Sequence, residues 1–316
     1  MTLREAIEQY IALRQAHGAK FIGSASILRR FLRYADGDAA CDAVTTAHIL
    51  SFLTGNGQLT RLRENKYHAL AGFWRHAIGR GHASASPMPD NEPRPPTRTP
   101  PHIYARDELR RLFDRDTIEA SRAGAVQLDA DTFRMLLLLL YGAGLRAGEA
   151  MSLTLADVEL PAAVLTIRAT KFYKSRLVPL GPHLASILAD YMSLRRPGVA
   201  ASDEESFLLA NRDGTRLASS TVQAAFDALR RITGVHGRAG GRLFPRLHDF
   251  RHSFAVHSLT AWYRQGADVQ RLLPVLSTYL GHADLEGTKI YLTMTPELLQ
   301  QASLRFACYA HGGQDA

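Results

Sequence analysis

The sequence predicts a two-domain protein in which an all-α domain precedes a mostly helical α+β domain with a small antiparallel sheet. A length of 316 residues corresponds to about two domains of ordinary size. Prolines crowd the segment from Pro87 to Pro101, and because proline disfavours helix this segment is predicted to be an extended linker. Helical periodicity fills the chain before this segment, whereas helices and two strand patterns share the chain after it. We therefore predict domains at 1–86 and 102–316, joined by 87–101.

The first domain is predicted to contain four helices. Apolar residues recur at helical spacing, and a Ser or Thr stands at the start of each helix as a cap. The predicted helices are Thr2–His17, Ser24–Tyr34, Thr46–Leu53 and Thr60–Arg80. Up to residue 86 the chain has 11 Lys or Arg against 6 Asp or Glu. This excess of positive charge is either an ordinary solvated face or the surface of a small helical DNA clamp.

The second domain mixes helices with a hairpin. A strongly apolar helix is predicted at Asp131–Gly142. Two β-rich stretches, Ala163–Ala169 and Arg176–Leu180, flank a basic turn with Lys171 and Lys174, which predicts a β-hairpin. Further helices are predicted at His183–Leu194, Ser220–Ile232, His248–Arg264, Val269–Leu280 and Asp284–Leu292, with a tail helix at Pro296–Tyr309.

Composition narrows the class of partner. The formal net charge is +8 and the sequence pI is near 9.7, which favours a polyanion, although a basic balance also serves solubility alone. The longest apolar run, Met135–Tyr141, is too short to span a membrane, and no N-terminal targeting signal is visible. The two cysteines match no metal or redox spacing. We expect a cytoplasmic protein with no membrane partner.

The sequence argues against a bound metal or cofactor. His248 and His252 have the i, i+4 spacing of zinc ligands, but the central Glu of the metalloprotease pattern is missing and Arg251 would lie beside the cation. The glycines at 142–148 follow a helix rather than a strand, which is unlike a dinucleotide site, and no Walker loop is present. We expect no metal and no cofactor.

The remaining candidates are Arg, His, Lys and Tyr side chains in short boxes of the second domain. Taken singly, each has an ordinary structural interpretation: Arg146 fits an ion pair with Glu149, and Tyr291 fits a core position. Together they meet the demands of phosphoryl transfer. Two arginines suit the non-bridging oxygens, and the set also offers a nucleophile, a proton acceptor for it and an acid for the leaving oxygen.

Four ordered boxes resemble those of the tyrosine recombinase family, which includes phage integrases and Xer-type enzymes. YGAGLRAGEAMSL at 141–153 resembles the first arginine box, and TIRATKFYKSRLVPL at 166–180 resembles the β-hairpin lysine box. LHDFRHSFA at 247–255 resembles the H-x-x-R box, and LGH at 280–282, followed nine residues later by Tyr291, resembles the last box. The N-terminal part is similar to the family only in size and helicity.

The resemblance implies a role for each matching residue. Tyr291 is expected to attack the scissile phosphate and form a 3′-phosphotyrosyl link, with His248 as the acceptor of its proton. Arg146 and Arg251 are expected to hold the phosphate oxygens. His282 is expected to hydrogen-bond the phosphate in the transition state.

The hairpin is expected to supply the general acid. Lys171 would protonate the leaving 5′ oxygen, with Lys174 as the alternative, and Glu149 would help to order the site. The sequence departs from the usual family pattern in two places: Phe250 stands where Leu is usual, and Ser253 stands where Thr is common.

The resemblance also implies the partners. Residues 1–86 would be a SAM-like core-binding domain that closes around DNA opposite the catalytic domain. Recombination would use a tetramer that bridges two double-stranded sites on the nucleoid, either a homo-tetramer or one shared with a related recombinase. An accessory directionality factor is left open, and the tail helix would pack either on a neighbouring subunit or on its own domain. Candidate DNA contacts are Arg29, Arg30, Arg33, Arg61, Arg63, Lys66, Arg75 and Lys174.

Three other functions stay open at this point. A type IB topoisomerase uses the same residue types, and a catalytically silent DNA-binding protein would keep the fold. A metal-dependent nuclease would need an acidic cluster, which the sequence lacks. The compact size and the LGH box favour the recombinase. No arm-binding module is visible before the first domain, which suits a Xer-like or transposon-encoded enzyme. Integration, excision, inversion and resolution are not distinguished.

Overall fold

The structure, a computed structural model, describes residues 1–54, 61–90, 100–121, 127–168, 175–194, 205–237, 244–282, 284–293, 300 and 303. The chain divides into two compact units, Met1–Arg98 and Thr99–Ala316, and the division falls inside the proline-rich segment. Of the helices in these ranges, none combines the length and the apolar character that crossing a bilayer requires.

The described part of the first unit is built from helices. They are α1 (Leu3–Ala16), α2 (Ile22–Phe31), a 3₁₀ helix (Cys41–Ala43), α3 (Thr46–Thr54) and α4 (Arg61–Gly79). Thr2 caps α1 and forms a reciprocal capping box with Glu5, so the predicted start of this helix is confirmed. The predicted start of α2 at Ser24 is wrong. Phe21, in the left-handed region at φ 46°, precedes the helix, and its ring packs edge-on against Tyr10.

One apolar core holds the first unit together. Helix α4 packs against α1, α2 and α3, and it contributes Phe73 and Trp74 to the fully buried set. Leu3, Ile7 and Phe52 fill the same core. Burial of large apolar side chains from all four helices removes their surface from water, which is the main stabilising contribution to such a unit.

The second unit contains nine described α-helices and three strands. The helices are α5 (Arg106–Phe113), α6 (Arg115–Ser121), α7 (Ala130–Gly142), α8 (Ala147–Ala150), α9 (Pro182–Leu194), α10 (Ser219–Ile232), α11 (Leu247–Arg264), α12 (Val269–Leu280) and α13 (Glu286–Lys289). Two 3₁₀ helices lie at Leu155–Asp157 and Ile290–Thr293. The described residues thus form a mostly helical domain with a small sheet.

Helix α7 lies at the centre of the second unit. Asp129 caps it, and the apolar run predicted from the sequence is buried on nearly every side. The helix packs against α11 and α9. Helix α11 stacks Phe250 on the ring of Tyr104 at 4.5 Å, and Phe250 is fully buried. This packing fixes α11 next to the turn that follows α7.

The sheet is antiparallel in the order β1 (Val158–Glu159), β2 (Val164–Ile167) and β3 (Arg176–Pro179). In the β2–β3 pair, Val164 lies opposite Pro179 and Ile167 lies opposite Arg176, so the predicted hairpin is confirmed. Strand β1 was not predicted. The turn with Lys171 and Lys174 lies outside the described residues.

The predicted helix at Asp284–Leu292 is wrong in form. The chain instead makes the four-residue helix α13 and then a 3₁₀ helix that carries Tyr291. The break lets the ring of Tyr291 join a buried cluster with Leu259, Leu276 and Leu280. The predicted tail helix at Pro296–Tyr309 falls almost entirely outside the described residues.

Candidate active site

Two arginines are anchored on neighbouring carbonyls at the end of α12. Arg251 Nη2 donates to the Leu280 carbonyl at 2.5 Å, and Arg146 Nη2 donates to the Gly281 carbonyl at 2.9 Å. Carbonyls at a helix C-terminus lack partners within the helix and carry the negative end of its dipole. The end of α12 therefore collects both positive charges that the sequence assigned to the phosphate.

Arg251 lies inside the protein. It stands in the first turns of α11, is 1% exposed, and donates a second hydrogen bond from Nη1 to the Gly144 carbonyl at 2.7 Å. Burial and the nearby charge of Arg146 lower the pKa of Arg251 to about 10, so it still carries its charge at neutral pH. Arg251 is thus a buried cation, and its two hydrogen bonds to carbonyls fix the position of its guanidinium.

Arg146 is the more open of the two arginines. It precedes α8, and its Nη1 and backbone N–H donate to the two oxygens of Glu149 at 2.6 and 3.0 Å. Burial alone would raise the pKa of Glu149, but hydrogen bonds from Arg176 and the Arg146 backbone outweigh it and lower this pKa to about 2. A charged carboxylate therefore orients Arg146, whose side chain keeps 35% of its surface exposed.

Tyr291 is buried, and its hydroxyl faces a histidine. The residue is 2% exposed, and its Oη lies 3.2 Å from Nδ1 of His252. Burial raises the pKa of the phenol, and the charges of Arg251 and Arg146 oppose this increase without reversing it. Since the phenol is protonated at neutral pH, any attack by Tyr291 requires a group that accepts its proton.

His252 belongs to a cluster of three histidines next to Tyr291. His248 and His252 lie one turn apart on α11, and their rings meet edge to face at 4.6 Å. The ring of His282 stacks at 6.1 Å from the ring of Tyr291, and its Nδ1 hydrogen-bonds Oγ1 of the fully buried Thr288 at 2.6 Å. The tautomer of each histidine decides which atom donates in these contacts.

All three imidazoles are neutral at neutral pH. Burial, aided by neighbouring cations and imidazoles, lowers the pKa of His252 to about 3 and that of His282 to about 4. His248 keeps an exposed face, yet the surrounding protein and Arg251 still hold its pKa below the usual range. Neutral imidazoles beside a protonated phenol form a set of groups that can accept a proton.

The structure brings five of the six predicted catalytic residues together: Arg146, His248, Arg251, His282 and Tyr291. The sixth, Lys171, lies outside the described residues. Two neighbours of the site were missed by sequence reasoning. His252 was weighed only as a zinc ligand, and within the described ranges no group of three or more His, Cys, Asp or Glu side chains could hold a metal. Arg176 was quoted within a box but given no role, although a charged residue at the start of a predicted strand is a usable signal.

The candidate DNA contacts of the first unit differ in their surroundings. Arg30 and Arg33 are exposed, whereas Arg29 makes a forked ion pair with Glu8 at 2.7 and 2.8 Å. Lys66 donates to the Phe52 carbonyl at 2.6 Å and lies 4.3 Å from the centre of the Phe52 ring. The ammonium of Lys66 is therefore engaged by its own unit, which argues against a contact with DNA.

Helix α4 carries three further candidates. Arg75 is exposed and lines an open groove of about 820 Å³ between α1, α2 and α4. Arg63 is half-buried, and the side chain of Arg61 lies outside the described residues, as does Lys174. Arg14 and His68 line the same groove as Arg75. Basic side chains therefore line an open concave surface in this groove.

Comparisons with known proteins identify the family. Residues 106–297 match the family model described as the phage integrase family. The chain is 37% identical over 312 residues to a Sinorhizobium fredii protein named as an integrase/recombinase, y4rB, with 96% of each chain covered. It is 31% identical over 291 residues to tyrosine recombinase XerC of Erythrobacter litoralis, with 90% of this chain and 86% of that protein covered.

Solved structures share the fold. The integrase of transposon Tn1549, in complex with circular intermediate DNA, superposes with a TM-score of 0.64 at 16% identity and covers 97% of this chain and 99% of its own. A lambda integrase dimer bound to a core site gives 0.62 at 17% identity, covering 94% and 97%. With the family match spanning more than half of the sequence, the chain belongs to the phage integrase family of tyrosine recombinases.

Proposed function

We propose that this protein is a site-specific recombinase that cleaves and rejoins double-stranded DNA through a 3′-phosphotyrosyl link to Tyr291. The observation that carries the proposal is that Arg146, Arg251 and His282 lie together beside one buried tyrosine, Tyr291. The names of its relatives support strand exchange at defined sites. The task is either integration and excision of a mobile element or Xer-like resolution.

The two arginines would bind the scissile phosphate. Arg251 is held by two carbonyls and Arg146 by Glu149 and one carbonyl, so neither needs to reorganise when an anion arrives. Preorganised cations stabilise the charge that accumulates on the non-bridging oxygens during attack. His282, steadied by Thr288, would donate a further hydrogen bond to the same oxygens.

The attack forms one bond and breaks another. Oη of Tyr291 bonds to phosphorus as the bond from phosphorus to the 5′ oxygen breaks. The phenolic proton would leave toward the His248–His252 pair, because His252 faces the hydroxyl and His248 meets the other histidine edge to face. The sequence assigned this proton to His248 alone. Lys171 would protonate the 5′ oxygen, with Lys174 as the alternative. The phosphotyrosyl ester keeps the energy of the broken bond, so religation needs no ATP.

The first unit would bind DNA. We propose residues 1–86 as the core-binding domain, 87–101 as the linker and 102–316 as the catalytic domain. Arg30, Arg33 and Arg75 are the proposed phosphate contacts, since they are exposed and basic. Arg29 joins them if DNA displaces Glu8. Two proteins of similar fold are solved in complex with DNA, which supports this assignment.

Recombination would take place on the cytoplasmic nucleoid within a tetramer of this chain or of this chain with a related recombinase.

Covalent capture tests the proposed function. Wild-type protein is mixed with fragmented DNA from the source organism, quenched in detergent, and the fragments that stay attached to protein are sequenced. We expect a discrete site from the wild type and none from Tyr291→Phe. Tyr279→Phe is the matched control, because its hydroxyl donates to the Pro179 carbonyl at 3.1 Å, and it should still capture DNA. Capture by Tyr291→Phe, or none by the wild type, would overturn the proposal.

A further inference from the structure

A third arginine, Arg176, binds the same carboxylate as Arg146. Arg176, the first residue of β3, donates from Nη1 and Nη2 to the two oxygens of Glu149 at 3.1 and 2.8 Å. Its Nε donates to the Tyr279 carbonyl at 2.9 Å. The side chains of Arg176 and Glu149 are each only 11% exposed, so this ion pair is largely shielded from water. Nothing in the proposed chemistry uses it directly.

Arg176 also packs against the backbone that holds Arg146. Gly281 is in the left-handed region at φ 67°, and a Cβ at this position would lie 2.8 Å from Nη1 of Arg176. The Gly281 carbonyl in turn accepts the hydrogen bond from Arg146. Arg176 therefore supports Arg146 by two routes, through the Glu149 carboxylate and through the end of α12.

The charges explain why two arginines share one carboxylate. Paired with Glu149 alone, Arg146 would have its positive charge cancelled at the place where an anion must bind. Arg176 offsets the carboxylate from the buried side, so the group of three keeps a net charge of one. The exposed member of the group is Arg146, with 35% of its side chain accessible. In a partly buried site this charge acts more strongly than it would in water.

We propose that Arg176 is a positioning residue for phosphate binding: by holding Glu149 and the end of α12, it lets Arg146 present a full positive charge to the scissile phosphate. The proposal rests on the proposed function. It assigns Arg176 no contact with DNA. Loss of Arg176 should weaken catalysis only where the negative charge of the phosphate has to be neutralised.

The test compares two substrates built on the captured site. One has the natural scissile phosphodiester, and the other has a methylphosphonate, in which a methyl group replaces one charged oxygen. Cleavage by Arg176→Met should be roughly 100-fold slower than wild type on the phosphodiester but within about threefold of it on the methylphosphonate. Arg146→Ala serves as the reference for direct loss of phosphate neutralisation. Because both rates come from one protein preparation, partial misfolding cannot change their ratio.

Arg115→Met is the matched control. Arg115 makes an equally forked ion pair with Asp131, on α6 and α7, and its loss should leave both rates unchanged. If the wild type leaves the methylphosphonate uncut, a double-mutant cycle decides: Arg176→Met should slow the phosphodiester reaction far less in an Arg146→Ala background. Equal slowing on both substrates, equal slowing in both backgrounds, or no slowing would overturn the proposal. Absence of wild-type cleavage would instead refute the proposed function on which it rests.

Discussion

The glycine before the first arginine offers a sharp test of how this site is built. Gly144 is in the left-handed region at φ 59°, and a Cβ added there would lie 2.6 Å from Cδ1 of Phe254 and 3.0 Å from Cδ2 of Leu280. Its carbonyl accepts a hydrogen bond from Arg251. The substitution Gly144→Ala therefore perturbs the backbone conformation, the packing and the anchor of Arg251 together.

The expected destabilisation follows from two separate contributions. An L-residue in the left-handed region costs about 1–2 kcal/mol. Pushing the Phe254 ring away inside a packed interior costs about 1–3 kcal/mol more. The sum, about 2–5 kcal/mol, lowers the melting temperature of a unit of this size by about 4–20 °C, at about 2–4 °C for each kcal/mol.

Thermal unfolding of the intact chain measures this effect, and Gly148→Ala is the matched control. Gly148 belongs to the same box, lies in α8, and a Cβ there would meet no atom within 4 Å. Alanine in a helix is favoured over glycine by about 0.5–1 kcal/mol, so the control should melt at or slightly above the wild-type temperature. If Gly144→Ala melts with the control and still captures DNA at the wild-type rate, the reasoning is wrong.

Three further substitutions test the surroundings of Tyr291. Arg251→Lys keeps the charge but loses the forked contact with two carbonyls, so the free energy of unfolding in urea should fall by about 1–3 kcal/mol, with capture strongly reduced. The pKa of His252 is about 3 in the folded protein against 6.5 for an ordinary imidazole, so the unfolded state binds more protons between these values. The melting temperature should therefore fall as pH drops from 6.5 toward 3, and His252→Gln should show a shallower pH profile. Thr288→Val removes the hydroxyl beside His282 and should slow cleavage by about tenfold, whereas Thr288→Ser should not.

Periodicity in the sequence identified the long elements and failed on the short ones. Helices α1, α7, α11 and α12 bury one apolar face or more, and the spacing of their apolar residues along the sequence predicts that burial. Helix α5 was not predicted, because most of its eight residues are charged or polar. Its stability comes from Leu109 and Leu112, which are buried in the core of the second unit. Strand β1 has two residues and exists only as a partner of β2.

Motifs selected the candidate cations and the candidate nucleophile but did not predict the contacts between them. The residue types and their order were sufficient to select Arg146, Arg251 and Tyr291, which the structure brings together and whose catalytic roles stay predictions. They were not sufficient for His252, because its spacing from His248 fits a metal site as well as a helix face that meets a tyrosine. Which of the two interpretations of His252 holds depends on the short α13, because this helix brings Tyr291 back over α11 and next to His252. A break of this kind is fixed by tertiary packing, and local propensity does not reveal it.

The carbonyls that bind the two arginines explain why the LGH motif at 280–282 is informative. Carbonyls at the end of α12 hold both candidate arginines, Arg146 and Arg251, yet every residue has a carbonyl, so no residue type marks those positions. What the sequence can mark is the requirement that the helix ends there in the left-handed region with no side chain facing Arg176. Only glycine satisfies both conditions at position 281. The glycine of the LGH motif therefore reflects the requirement that the end of α12 binds the arginines. A side chain at position 281 should displace Arg176 and the carbonyl that holds Arg146, and we expect it to weaken phosphate binding more than it changes the position of His282.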